Sequence, residues 1–176
     1  MEHGTVIIMG SARVDGDTAC ACAKLARLCA PTAKVRPLAP LELQPFNYAG
    51  GAKDGFIPLI EDILQHDNIV FATPLYWYSM SGLMKTFLDR FTDLLVNPDK
   101  RSLGRTLAGR NAWALVSGTD RLPPGGLAEP FELTAGYFNM SWRGLTYLCA
   151  LREGGFPQDV DGQLAELAAR LSTSKE

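Results

Sequence analysis

Apolar residues along this chain fall into two alternating patterns: short unbroken runs, and longer stretches that repeat every three or four positions. The runs TVIIMG (Thr5 to Gly10), AKVRPL (Ala33 to Leu38), NIVFAT (Asn68 to Thr73), NAWALVSG (Asn111 to Gly118) and WRGLTYLC (Trp142 to Cys149) read as strands. Between them, periodic segments predict helices over about 17–29, 55–65, 81–95, 129–139 and 157–171. The third helix is the least ambiguous, with Leu83, Met84, Phe87, Leu88, Phe91, Leu94 and Leu95 on one stripe. Strands that are apolar on both faces and alternate with helices imply a parallel sheet covered on both sides.

Five such strands in 176 residues predict one α/β domain over 1–176. Its expected form is a five-stranded parallel sheet in the flavodoxin-like order 2-1-3-4-5, with helices on both faces and ligands beyond the carboxyl ends of the strands. A hydrophobic content of 47% supports one buried core at this length and not two. Net charge is -2 with no basic stripe, which argues against nucleic acid or an anionic membrane as a partner. No apolar run approaches the roughly 20 residues that span a bilayer. The opening MEHGTVIIMG lacks a basic n-region, so no secretory signal is expected. Of the four cysteines, Cys20, Cys22 and Cys29 fall on the first helix, and Cys149 on the fifth strand. Cys20 and Cys22 point about 200° apart at roughly 3.6 residues per turn, so they form no metal knuckle there. Reduced thiols and a cytoplasmic location follow as expectations.

Three strand ends carry candidate chemistry. The first strand empties into GSARVDGDT (Gly10 to Thr18). Gly10 and Gly16 permit unusual backbone, Ser11 and Thr18 supply hydroxyls, and the helix N-terminus supplies unpaired N–H donors with partial positive charge. With Arg13 this makes an anion site, most naturally for phosphate. Asp15 and Asp17 oppose it, and must point outward or, for Asp17, cap the helix. The competing reading is an ordinary turn with a solvated Arg13. The loop has neither the Lys-Ser/Thr of a Walker loop nor the three glycines of a dinucleotide fingerprint.

The third strand leads into TPLYWYSMSG (Thr73 to Gly82), where Ser79 or Ser81 caps the next helix. Leu75, Tyr76, Trp77 and Tyr78 read as an exposed aromatic loop. They suit a flat conjugated ring, a subunit interface or packing under a neighbouring loop. After the fourth strand, Ser117, Gly118 and Thr119 let backbone approach a ligand closely, and the tip RLPPGG suits a lid. A planar ring tethered to a phosphate satisfies the three strand ends together.

On these motifs the chain resembles the NAD(P)H-dependent FMN reductase branch of the flavodoxin-like superfamily. The carriers are GSARVDGDT and the longer ATPLYWYSMSGLMKTFLDRFTDL (Ala72 to Leu94), with Ser81, Gly82, Lys85, Asp89 and Arg90 in a specific pattern. The resemblance implies that Ser11, Arg13, Asp17 and Thr18 hold the FMN phosphate. It implies that Pro74, Leu75, Tyr76, Trp77 and Tyr78 border the isoalloxazine ring, and that Ser117, Gly118, Thr119 and Asp120 meet its pyrimidine edge. Asp17 departs from the amide usual at its position. The segment Leu38 to Gly51 lacks the cysteine cluster of related iron–sulfur flavoproteins, so no iron–sulfur centre is expected.

The same resemblance implies FMN as cofactor, NAD(P)H as electron donor, a quinone, free flavin or similar small molecule as acceptor, and a homodimer or homotetramer. It requires no catalytic acid or base from the protein, and His3 and His66 lie near a terminus and a helix end. Arg121 is a candidate to stabilise reduced flavin, with Asp120 acting against it. Lys85 and Asp89 read as a surface i, i+4 ion pair worth about 0.3–0.5 kcal/mol, and Asp89 and Arg90 as candidates to meet a second subunit. A flavodoxin-like electron carrier without nicotinamide turnover is the alternative reading, and a non-enzymatic module using the same pocket is a third.

Overall fold

Alternate residues of the central strands face opposite layers, as the period of two requires. In the computed structural model, which describes residues 4–50, 52–157 and 159–173, Val6, Ile8, Ile69, Phe71, Ala112 and Ala114 enter one apolar cluster. Their neighbours Ile7, Met9, Val70, Ala72, Trp113 and Leu115 enter the other. Two cores thus flank one sheet. The strands are β1 (Thr5–Met9), β2 (Ala33–Pro37), β3 (Asn68–Tyr76), β4 (Ser79–Met80), β5 (Asn111–Gly118) and β6 (Ser141–Cys149). The path is β2-β1-β3-β5-β6, all parallel, which is the order expected from the alternation of strands and helices.

Helices α1 (Asp17–Leu28) and α7 (Val160–Thr173) cover the face that carries Ile7. On α7, Val160, Leu164, Leu167 and Leu171 are buried, and each contributes roughly 1.5–3 kcal/mol as an upper estimate. Helices α2 (Phe56–Ile63), α3 (Gly82–Asp89) and α6 (Glu129–Tyr137) cover the opposite face. The short helices α4 (Asp93–Val96) and α5 (Arg101–Thr106) complete the chain order between α3 and β5.

Several boundaries differ from the sequence expectation. The aromatic stretch is no simple loop, because β3 continues to Tyr76 and turns back through β4, pairing Leu75 with Met80 and Tyr76 with Ser79. Trp77 (φ 48°) and Tyr78 (φ 66°) form the two-residue turn, both left-handed. Such turns normally carry Asn-Gly or Asp-Gly, so Trp-Tyr at these positions offers no hairpin cue. The expected single helix over 81–95 is broken by a 3-10 turn at Arg90–Thr92. In that geometry residues three apart eclipse, which suits the Arg90–Asp93 ion pair at 2.5 Å. The final helix begins at Val160 rather than near Pro157. Residue 158, on that boundary, and His3 lie outside the described residues.

Arg90 is 3% exposed and faces the chain's own interior, not a second subunit. Its guanidinium binds Asp54 at 2.5 Å and the Gln44 carbonyl at 3.0 Å, and lies 4.8 Å from the Phe56 ring centroid. Asp54 in turn accepts the Gln44 and Phe56 amides. Arg90 therefore pins the connection between β2 and α2. Lys85 and Asp89 form the expected exposed pair at 2.5 Å. His66 is buried, with Nδ1 2.9 Å from the Asp62 carbonyl. A carbonyl only accepts, so Nδ1 carries the proton and the ring is structural.

Candidate functional site

The carboxyl ends of β1, β3 and β5 open into one cleft of about 290 Å³. It lies where the strand order reverses on either side of β1 and β3, the usual ligand position in open α/β sheets. Its walls include Ser11, Arg13, Gly16, Asp17 and Thr18 from the first loop, Pro74, Leu75 and Tyr76 from β3, and Ser117, Gly118 and Thr119 from β5. The three strand ends singled out in the sequence thus meet at one place. Ala150, just beyond β6, also lines it and carries no sequence feature beyond being small and following a strand.

Packing fixes this convergence. The amide of Gly10 donates to the Ala72 carbonyl at 2.8 Å, tying the exits of β1 and β3. Ser81 caps α3 by accepting the Met84 amide at 3.1 Å, and donates to the Gly10 carbonyl at 2.5 Å. Its own amide donates to the Thr73 hydroxyl at 2.9 Å. A Cβ on Gly10 would lie 2.9 Å from Met84 Cβ, so glycine lets α3 close against the loop. Pro74 pairs in register with Ser117, which puts Leu75 beside Gly118. A Cβ on Gly118 would sit 2.6 Å from the Tyr147 hydroxyl and 3.0 Å from Leu75 Cβ.

The anion side of the cleft is the N-terminus of α1. Gly16 is its N-cap and provides no side-chain cap. The first intrahelical bond runs from the Cys20 amide to the Gly16 carbonyl, so the amides of Asp17, Thr18 and Ala19 have no helical acceptor. Arg13 folds over this end, with Nε and Nη2 3.0 Å from where a Gly16 Cβ would lie. The Ser11 hydroxyl accepts the Arg13 amide at 3.2 Å and donates to the Arg13 carbonyl at 3.0 Å, holding the loop in a tight turn. The buried Thr18 and Ser117 hydroxyls are 2.7 Å apart, bridging the first and third loops. Free amides, two hydroxyls and a guanidinium at one helix end fit a phosphate, and Pro74, Leu75 and Tyr76 beside them fit the edge of a flat ring.

Asp17 does not cap its helix. One carboxylate oxygen accepts the Gly155 amide at 2.7 Å, in the loop after β6. Trp77 is 92% exposed at the hairpin tip, and neither it nor Tyr78 lines the cleft. Asp120 also stays off the lining, with its carbonyl accepting the Tyr147 hydroxyl at 2.8 Å. Burial, together with the nearby Asp120 carboxylate, pushes the Tyr147 phenol up, so it remains a donor at neutral pH. Sequence reasoning missed Tyr147, which reads as one more apolar strand residue until its register is known.

A wider groove of about 520 Å³, lined by Leu94, Arg101, Arg105 and Tyr137, also includes Asn139 at the amino end of β6. It is set apart from the strand exits and has no helix N-terminus of useful length. Burial pushes the Cys22 thiol up to about 12 and raises Cys29, while Cys20 is exposed on the other side of α1. Among the described residues, no cluster of His, Cys, Asp or Glu has metal-binding geometry, and no helix is long and apolar enough to cross a membrane.

Known proteins share this chain's sequence and fold. YwqN of Bacillus subtilis (strain 168), whose name provisionally makes it an NAD(P)H-dependent FMN-containing oxidoreductase, is 33% identical over 140 residues, 73% of this chain and 75% of its own. The Trp repressor binding protein from Bacillus subtilis superposes with a TM-score of 0.72 at 26% identity, over 98% of this chain and 99% of that one. General stress protein 14 of Treponema denticola, solved in complex with FMN, shares the fold at a TM-score of 0.61 and 21% identity, over 96% and 95% of the two chains. The family model for NADPH-dependent FMN reductase matches residues 5–122, which span all three strand exits, and the chain belongs to that family of FMN-binding oxidoreductases.

Proposed function

We propose that this chain is a single-domain, FMN-dependent NAD(P)H oxidoreductase that reduces a small acceptor such as a quinone or free flavin. The observation that carries the reading is the Thr18–Ser117 hydroxyl bridge at 2.7 Å, which joins an anion seat to a slot for a flat ring at the strand-order reversal. When bound there, FMN supplies the two-electron chemistry between nicotinamide and acceptor. The chain's own residues bind and orient. The α1 amides, the hydroxyls of Ser11 and Thr18, and Arg13 hold the phosphate. Pro74, Leu75 and Tyr76 border the ring, while backbone at Ser117, Gly118 and Thr119 meets its polar edge. Tyr147 keeps that last segment in position through the Asp120 carbonyl. At about 290 Å³ the cleft is at the small end of ligand sites, so part of a bound FMN would stay accessible to donor and acceptor in turn.

A homodimer or homotetramer belongs to this reading. Its support is the exposure of Tyr76, Trp77 and Tyr78 beside the open cleft, large rings that a partner chain would cover. Four free cysteines support a reducing, cytoplasmic location. The test is direct. Protein supplied with FMN should take up the flavin and oxidise NAD(P)H rapidly when a quinone is added. Flavin uptake without nicotinamide oxidation would favour an electron carrier, and failure to bind flavin would remove the reading altogether.

A further inference from the structure

The anion seat contains a charge of the wrong sign. Asp17 opens the first turn of α1 and lines the cleft with Arg13 and Thr18. The Gly155 amide holds its carboxylate at 2.7 Å, so it is fastened beside the seat and not free to swing into solvent. Arg13 is the cation lining the cleft, and Asp15 adds a second carboxylate to the same loop. The turn that carries Gly155 brings Arg152 and Glu153, one of each sign and both exposed. Among the residues that line the cleft, Asp17 therefore cancels the full positive charge of Arg13 before any ligand arrives. A phosphate monoester adds about -1.5 to -2 at neutral pH. The half-charge of a helix N-terminus, roughly +0.5, does not offset that.

Resting on the FMN reading above, we propose that Asp17 keeps the seat weak, so that FMN exchanges with solution and is not a permanently held group. The carboxylate opposes the phosphate while its bond to Gly155 holds the loop after β6 in place. Ligands with the same ring and no phosphate do not feel this opposition.

Dissociation constants for FMN and for riboflavin, measured by flavin fluorescence on the wild type and Asp17→Asn, separate the possibilities. Asparagine keeps an oxygen for the Gly155 amide, loses the charge and puts an NH2 donor in place of the other carboxylate oxygen. Asp17→Asn should bind FMN about tenfold more tightly, about 1.4 kcal/mol, and change riboflavin affinity by less than about twofold. The variant should also keep FMN through gel filtration where the wild type loses it. Equal tightening of both flavins would assign the effect to the loop and overturn the proposal. So would unchanged or weaker FMN binding, or wild-type protein that retains FMN through gel filtration. Binding of neither flavin to either protein would instead remove the FMN reading, and this inference with it.

Discussion

Gly118→Ala tests how tightly the ring side of the cleft is built. The added Cβ would lie 2.6 Å from the Tyr147 hydroxyl, 3.0 Å from Leu75 Cβ and 3.1 Å from Leu75 Cδ2. Comfortable contact between carbon atoms needs about 3.5–4.0 Å, so both neighbours must retreat. Neither does so easily. Tyr147 is tied to the Asp120 carbonyl, and Leu75 belongs to the β3–β4 hairpin. Overpacking of this kind costs roughly 1–3 kcal/mol. Urea denaturation should show that loss, and the midpoint of thermal unfolding should fall by about 2–4 °C per kcal/mol at this chain length. FMN affinity should fall by about tenfold as Leu75 is pushed into the cleft. Tyr147→Phe removes the closest atom. In Gly118→Ala/Tyr147→Phe the damage should be less than the sum of the single changes by at least about 0.5 kcal/mol. Additive single effects, or a Gly118→Ala variant as stable as the wild type, would refute the claim that backbone approach here is limited by Tyr147.

Arg90→Leu would strand the buried Asp54 carboxylate and should cost about 3–5 kcal/mol in urea denaturation; a loss below about 1 kcal/mol would show that water reaches Asp54. For Asp54, burial pushes the carboxyl up, but bonds from Arg90 and from the Gln44 and Phe56 amides outweigh it and hold it low. Arg36 likewise holds Asp62 low. Both contribute stability at neutral pH that is lost as pH falls below about 4, and Asp62→Asn should flatten that acid limb. Placing residues that favour the left-handed turn, Trp77→Asn/Tyr78→Gly, should raise stability by about 1–2 kcal/mol and leave the cleft intact, measured by thermal unfolding. Arg13→Ala should weaken FMN binding more than tenfold, about 1.4 kcal/mol or more, and an unchanged dissociation constant would remove Arg13 from the phosphate seat.

Strand order and the three cleft-forming exits were legible because β1, β3 and β5 are unbroken apolar runs ending in small or polar residues. The β3–β4 hairpin was not, since Trp77 and Tyr78 occupy positions that usually advertise themselves with Asn or Gly. Helix α5 escaped notice because six residues with Gly104 near the middle carry no usable period. In the sequence Arg90 is a candidate to meet a second subunit, and only tertiary partners 36 and 46 positions away reveal it as buried. Tyr147 and the Asp17–Gly155 bond depend on contacts between elements far apart in the chain, which local pattern does not encode.

The hydroxyl bridge between Thr18 and Ser117 spans 99 positions. During synthesis the first loop emerges long before β5, so its half of the cleft must wait for most of the chain to leave the ribosome. A nascent chain stopped short of β5 would hold a helix end with nothing opposite it. Flavin capture should therefore mark completion of the sheet, arriving as a late and abrupt event, not growing gradually as the polypeptide lengthens.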